Sequence, residues 1–392
     1  MSKRINPARG PLTGLKIVEI AGIGPGPFCA MLLADLGADI LRIDRPQKAI
    51  VGEPRDTLND ITLRSRRSVA IDMKNPDGIE TLLKLIEQAD GLIEGFRPGV
   101  MEKLGLGPDV CLQRNPKLVY GRMTGFGQTG PMSMAAGHDI NYIALGGALH
   151  YFARRGQKPV PPLNLVGDYG GGALYLAFGM MCALWETGRS GQGQVVDTSM
   201  IDCVASLISG VVGGRENAGT WNEEVGTNLL DTGAHFYEVY ETKDHKFISI
   251  GPIEHRFYLQ LLEKLGLDKT KLPEQNDQTQ WPEMKAKLES IFKTKTRDEW
   301  DELLTGTDVC YAPVLSLSEA HQHPHHISRQ NFTEVGGYTQ PSPVPKFSRT
   351  PGAVQYASPT PGDHSRDGLK AWGFDDDQIT ALLSTGAIEE AT

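Results

Sequence analysis

The sequence predicts an α/β fold in which a large lobe carries an open, mostly parallel sheet and a smaller lobe is α+β. In the first half of the chain, short apolar runs alternate with segments of helical periodicity, which is typical of βαβ units in a Rossmann-like sheet. A stretch rich in glycine and polar residues at 210–232 then breaks this pattern. The chain of 392 residues is long enough for two such lobes.

The elements of the first half follow from these runs. The predicted strands are residues 15–21, 38–44, 68–73, 90–96 and 117–127, and the first predicted helices are 28–37 and 77–89. Later, the apolar run at 170–186 predicts a buried helix, because its apolar stretch of about 17 residues stops short of a membrane span.

The second half predicts a separate small domain. Two short strands fall within 236–252, and helices start at His255, Trp281 and Arg297. The segment from Pro341 to Pro351 is too rich in proline for a helix or a central strand. We therefore expect the following division: a large domain of 1–200 with 332–392, a linker of 201–229, a small domain of 230–325, and a return linker of 326–351.

Composition excludes several classes of protein. The net charge, 39 − 48 = −9, argues against a general nucleic-acid or acidic-membrane binder. The five cysteines are scattered without a CxxC pair, which disfavours a disulfide framework or a thiolate zinc site. The N-terminal segment lacks the apolar core of a signal peptide, so we expect a cytoplasmic protein. The histidine run at 321–326 has no evident carboxylate partner, and no metal site is expected.

The loop Gly22–Pro27 after the first strand resembles a dinucleotide-binding loop, and Asp44 ends the second strand where a ribose-binding acid would lie. Proline at the third glycine position disfavours that function. Arg42 and Arg45 flank the strand end instead, so a ligand with an adenosine phosphate fits better. The cations at 64–67, together with Lys74 and Arg97, are further candidate ligand contacts at the carboxyl ends of the predicted parallel strands.

Two segments carry candidate acid–base groups. His138 and Asp139 lie in AGHDINY, and Asp168 lies in LNLVGDYGGG before an apolar helix. Each has a structural alternative, since an aspartate before a helix is commonly an N-cap and a single histidine is commonly structural. Together, a histidine and an aspartate at helix starts can serve as two acid–base groups around an enolate. The three glycines from Gly170 suit a close approach to the backbone.

These motifs resemble those of the family III coenzyme A transferases. The resemblance covers nearly the whole chain and includes GPLTGLKIVEIAGIGPGPFCAMLLADLGADILRIDRP, AGHDINY, PPLNLVGDYGGGALY, GPIEHRFY and VPKFSRTP. AGHDINY followed by LNLVGDYGGG is more specific, and is similar to the racemase branch of the family, whose substrates are α-methylacyl-CoA thioesters. The resemblance implies epimerisation of a 2-methyl-branched acyl-CoA by proton transfer at the α-carbon.

The resemblance also implies roles for individual residues. His138 and Asp168 would be the acid–base pair, Glu254 would bond the histidine, and the N–H of Asp139 would face the thioester oxygen. The implied CoA contacts are Arg45, Ile71, Asp72, Met73, Lys74, Gly95, Phe96, Arg97, Lys103, Gly137, Ile140, Asn141 and Tyr142. No cofactor beyond the CoA of the substrate is implied.

Other functions stay open at this point. A CoA transferase would use Asp168 as a nucleophile that forms an acyl anhydride. A non-catalytic CoA- or nucleotide-binding protein would need neither acid–base residue. The family resemblance implies an interlocked homodimer as the one protein partner, without nucleic acid or membrane, and the preferred acyl chain is not determined by the sequence.

Overall fold

A computed structural model describes residues 4–46 and 57–391. The strands in this part of the chain are β1 (Lys16–Ile20), β2 (Asp39–Asp44), β3 (Arg67–Ile71), β4 (Gly91–Glu94), β5 (Val119–Thr124), β6 (Gln194–Ser199), β7 (Glu238–Glu241), β8 (Phe247–Ile250), β9 (Tyr311–Pro313), β10 (Phe332–Val335), β11 (Tyr338–Pro341) and β12 (Ile388–Glu389).

The helices connect and cover these strands. They are α1 (Pro25–Asp35), α2 (Pro76–Ile86), α3 (Val100–Lys103), α4 (Pro108–Arg114), α5 (Asp139–Leu145), α6 (Leu174–Ser190), α7 (Met200–Leu207), α8 (Ser209–Gly213), α9 (His255–Lys264), α10 (Trp281–Phe292), α11 (Arg297–Leu304), α12 (Leu317–Gln322), α13 (Pro324–Ser328), α14 (Ser365–Ala371) and α15 (Asp376–Ser384). A π-helical segment, Leu165–Ala173, leads directly into α6.

The large sheet has the strand order β12-β3-β2-β1-β4-β5-β6. Strands β1 to β6 pair in parallel and only β12 is antiparallel, which confirms the predicted fold class. The order reverses between β1 and β4, since β1 pairs with β2 on one side and with β4 on the other. In open parallel sheets, ligands bind beyond the carboxyl ends of the strands at such a reversal.

Apolar side chains point alternately to the two faces of this sheet and form one apolar layer on each face. Ile17 packs with α1 and α6, whereas its neighbour Val18 packs with α2 and α14. Successive side chains of a strand point to opposite faces, so helices cover both. The helix α1 starts three residues earlier than predicted because Pro25 suits the first helical turn, where an N–H would have no partner.

The chain forms two compact units. One comprises the chain up to Gly146, Leu163–Leu207 and the chain from Arg329, and the other comprises Gly147–Pro162 and Ile208–Ser328. The segment Gly147–Pro162 thus groups with the smaller unit, whereas the sequence places it in the large domain. The predicted linker 201–229 is largely helical up to Ala218, and the predicted return linker 326–351 contains the hairpin of β10 and β11.

The smaller unit is an antiparallel sheet of β7, β8 and β9 packed against helices. Its core contains residues from the sheet, such as Ile248, and from the three helices that the sequence predicts, such as Leu261, Leu288 and Trp300. These helices begin at His255, Trp281 and Arg297, as predicted.

Helix α6 differs from its prediction as a buried helix. Leu176 and Met180 are fully buried, but Leu174, Phe178 and Trp185 are 51%, 69% and 73% exposed in the chain. The prediction is wrong for this face, because an overall apolar composition does not show which side of a helix meets the sheet. In residues 4–46 and 57–391, no helix combines the length and apolar character that crossing a bilayer requires.

Candidate active site at the carboxyl edge of the sheet

His138 lies where the chain that leaves β5 turns into α5. Its backbone is extended (φ −132°, ψ 174°), and its N–H donates to Asn141 Oδ1 at 3.0 Å, which fixes the start of the helix. Two glycines allow this turn, because a Cβ on Gly125 or Gly137 would lie 2.2 or 2.8 Å from the ring of Tyr142. The imidazole of His138 is exposed.

Asp168 lies inside the π-helical segment and is not its N-cap. The cap position is Asn164, whose side-chain amide donates to Asp168 Oδ2 at 3.2 Å. Burial raises the pKa of the Asp168 carboxyl above its usual range, while the hydrogen bond from Asn164 opposes that rise. Asp139 raises this pKa further and His138 lowers it, so both charges act on Asp168. The N–H of Asp168 also donates to the side chain of Asp139, the residue after His138, so the fold brings the two predicted acid–base residues near one another.

Asp139 connects the two segments. Its buried carboxylate accepts hydrogen bonds from the N–H groups of Gly167 and Asp168, both at Oδ2 and both at 2.7 Å. Its own N–H opens α5 and has no acceptor within that helix. The family resemblance implies a role for this N–H and none for the carboxylate, since nothing in AGHDINY shows what the side chain meets.

The glycine loop after β1 approaches Asp168. Gly24 has φ +69°, and a Cβ there would lie 3.3 Å from Asp168 Oδ2. The ring of Phe28, in α1, stacks on Tyr169 with 4.3 Å between centroids. Gly172 allows a further close approach, because its Cβ would lie 2.9 Å from Pro25 Cβ. The close backbone contacts expected at the glycines after Asp168 are thus made by the fold itself.

Asp44 is engaged within the protein. Its carboxylate accepts from Arg42 Nε at 3.1 Å and from Ser68 Oγ at 2.6 Å, and the residue is buried. A ribose-binding acid needs a free carboxylate, so the structure does not support the dinucleotide interpretation. Arg42 also pairs with buried Glu19, which removes it from the candidate phosphate ligands.

The cations at 64–67 are structural. Arg64 pairs with Asp35 (2.6 Å) and Arg66 with Glu19 (2.6 Å), and all four side chains are almost fully buried. Arg67 begins β3, so this run precedes the strand and lies at the edge opposite the site. The expectation that these cations line the carboxyl edge is wrong, because the sequence shows their charge and not their partners.

The CoA contacts implied by the resemblance lie along the carboxyl edge. Arg45 follows β2, Ile71–Lys74 end and follow β3, Gly95–Arg97 follow β4, and Lys103 ends α3. In the sheet, β3, β2, β1 and β4 are neighbours in that order. The segments after β2 and β3 therefore lie on one side of the reversal between β1 and β4, and the segments after β4 lie on the other side. Arg45, Lys74, Arg97 and Lys103 are exposed.

Not every one of these positions has a free side chain. Ile71 is fully buried in the core, and Tyr142 is 7% exposed with its hydroxyl donating to the carbonyl of Gly137. Asp72 Oδ1 accepts from the N–H of Lys74 at 2.9 Å. The positions that remain exposed are Gly95, Ile140 and Asn141, with Met73, Phe96 and Gly137 half-buried.

Glu254 belongs to the smaller unit. It is the exposed N-cap residue of α9, and its carbonyl accepts from the N–H of Phe257 at 2.9 Å. Its role toward His138 stays a prediction. Within the described ranges, no group of three or more histidine, cysteine or acidic side chains is arranged to hold a metal ion, the run at 321–326 included.

Comparison with known proteins identifies the family. The sequence matches CoA-transferase family III over residues 12–365, and the chain belongs to that family. Alpha-methylacyl-CoA racemase of Mus musculus is 45% identical, with 96% of this chain and 97% of the mouse protein covered. Alpha-methylacyl-CoA racemase of Homo sapiens is 41% identical with the same coverage. The crystal structure of a CAIB/BAIF family protein from Brucella suis (24% identity, TM-score 0.80) covers 93% of this chain and 100% of that chain, and shares the fold.

Proposed function

We propose that this protein is an α-methylacyl-CoA racemase, which interconverts the two configurations at C2 of 2-methyl-branched acyl-CoA thioesters. The observation that carries this proposal is the hydrogen bond from the N–H of Asp168 to Asp139, the residue after His138, in a chain whose relatives of 41–45% identity carry that name. CoA enters as part of the substrate, and no other cofactor is proposed.

The chemistry follows from the two side chains. A thioester acidifies its α-proton because the charge left on carbon delocalises onto the carbonyl oxygen. One member of the pair removes this proton, and the other returns a proton to the opposite face. The raised pKa of Asp168 favours such exchange, since a carboxyl that titrates nearer neutrality both accepts and donates protons. The free N–H of Asp139 is the proposed donor to the enolate oxygen.

The remaining proposals concern the rest of the substrate and the assembly. The exposed cations Arg45, Lys74, Arg97 and Lys103 supply positive charge for the phosphates of CoA along the carboxyl edge. We also propose an interlocked homodimer in which Glu254 of one copy bonds His138 of the other. The scattered cysteines support a location in the cytoplasm.

Exchange in D₂O tests the function. We expect the wild-type chain to incorporate one deuterium at C2 of an (S)-2-methylacyl-CoA and to epimerise that centre without an added acid. His138→Ala and Asp168→Asn should each lower the rate by about 10²–10⁴-fold, since each removes one acid–base group. Transfer of the acyl group to a free acid with retention of the C2 hydrogen would instead identify a CoA transferase, and that activity would survive His138→Ala.

A further inference from the structure

We infer that the Asp139 side chain is a positioning residue that sets the relation between the two proposed acid–base groups. This inference rests on the proposed function. Asp139 follows His138 directly in the chain, and one of its carboxylate oxygens holds the N–H groups of Gly167 and Asp168 at 2.7 Å. A peptide bond on one side and two hydrogen bonds on the other therefore link His138 to Asp168.

The contact between the two segments is closely fitted. A Cβ on Gly167 would lie 2.7 Å from Asp139 Oδ2 and 2.9 Å from Cγ, so only glycine permits this approach. Asp139 is 5% exposed, and its other oxygen, Oδ1, is buried without a hydrogen-bond partner among residues 4–46 and 57–391. Two hydrogen bonds at Oδ2 offset part of the cost of burying this carboxylate, but Oδ1 stays unpaired, and an unpaired buried polar atom is more typical of a functional position than of a purely stabilising one.

The negative charge of Asp139 also affects the pKa of Asp168. Because like charges disfavour ionisation, Asp139 raises the pKa of Asp168 in addition to the effect of burial. The other ionisable groups that interact with Asp168 are His138 and Tyr142. The loop before α1 approaches Asp168 through Gly24, and α7 approaches the neighbouring Gly171 and Gly172 through Met200, so neither contact brings a charge.

Two substitutions of Asp139 separate its effect on the position of Asp168 from the effect of its charge. Asp139→Asn keeps an oxygen that can accept both N–H groups and removes the charge, whereas Asp139→Ala removes both. Asp375→Asn is the matched control, because Asp375 also accepts a backbone N–H, that of Gln378, at the start of α15. Each variant is assayed for kcat, KM and the pH profile of kcat/KM in the epimerisation of a 2-methylacyl-CoA.

We expect Asp139→Ala to lower kcat about 10²-fold with little change in KM, since displacement by about 1 Å at an acid–base group has that effect. Asp139→Asn should retain more of kcat and move the acidic limb of the profile to lower pH, because Asp168 without its charged neighbour stays ionised further into acid. Both reaction directions should show the same movement, since the equilibrium between the two epimers does not depend on pH.

The outcomes distinguish this inference from the proposed function. An active wild-type chain whose Asp139→Ala variant keeps wild-type kcat, or whose Asp139→Asn variant leaves the acidic limb unmoved, would overturn the inference alone. A wild-type chain that neither exchanges nor epimerises would overturn the proposed function and the inference with it. Should Asp139→Ala fail to fold, the pH profile of Asp139→Asn against that of Asp375→Asn decides the question.

Discussion

Gly24→Ala probes the contact between the glycine loop and Asp168. The backbone of Gly24 has φ +69° and ψ −119°, a conformation that costs a residue with a Cβ about 1–3 kcal/mol. The new methyl group would also lie 3.3 Å from Asp168 Oδ2, which forces the carboxylate to move by a few tenths of an ångström. If a displacement of 1 Å costs about 10²-fold, a shift of about 0.3–0.5 Å lowers kcat roughly 4- to 10-fold.

Two other glycines serve as controls. Gly105 also has a positive φ (+74°), but a Cβ there would meet nothing within 4 Å, so Gly105→Ala carries backbone strain alone. Gly26 lies inside α1 with open space around it, and Gly26→Ala should stabilise the helix by up to about 1 kcal/mol.

The assay combines denaturant unfolding with the rate of deuterium incorporation at C2. We expect Gly24→Ala and Gly105→Ala to lose stability, and only Gly24→Ala to lose kcat. Equal stability losses with wild-type kcat in both variants would refute the argument that Gly24 leaves room for the position of Asp168.

Three further predictions follow from the remaining contacts. Arg45→Ala should raise KM for CoA esters with little change in kcat, more so at low salt, because contacts with the CoA phosphates are shared by ground and transition states; kinetics with dephospho-CoA esters tests the phosphate. Asp35→Ala should destabilise the chain by about 3–5 kcal/mol in urea unfolding, since it leaves the charge of buried Arg64 without its carboxylate partner. Co-expression of Glu254→Ala and His138→Ala chains should restore about a quarter of wild-type activity if Glu254 acts across a dimer. With random pairing, half of the dimers are mixed, and each mixed dimer has one intact site out of two. If confirmed mixed dimers show no recovery, Glu254 does not act in the partner's site.

The sheet could be predicted because its determinants are local. Short apolar runs, separated by loops or by segments of helical periodicity, define β1 to β5 without knowledge of what they contact. The positions of His138 and Asp168 near helix starts follow from the same kind of local pattern. These two residues therefore appear in the sequence as candidates for one site, and the parallel order of the sheet explains why they meet.

The buried charges could not be assigned from the sequence, because their partners are distant along the chain. Arg64 and Asp35 are 29 residues apart, and Arg66 reaches Glu19 over 47 residues. Nothing near residues 64–67 distinguishes an arginine that binds phosphate from one that neutralises a buried carboxylate. The same limitation applies to the exposed face of α6, since composition alone does not show which side packs on the sheet.

The glycine loop after β1 has the same place in the fold as a dinucleotide-binding loop, but a different group lies against it. In dinucleotide-binding folds, the loop at the strand-order reversal lets a pyrophosphate approach the backbone. Here the loop has the same location after β1, but the group that lies beside Gly24 is the carboxylate of Asp168. In both cases an anionic group lies close to the position that a Cβ would take, and at Gly24 the positive φ also favours glycine. The residue type therefore predicts a close approach, and only the structure identifies the approaching group as Asp168, a member of the proposed acid–base pair.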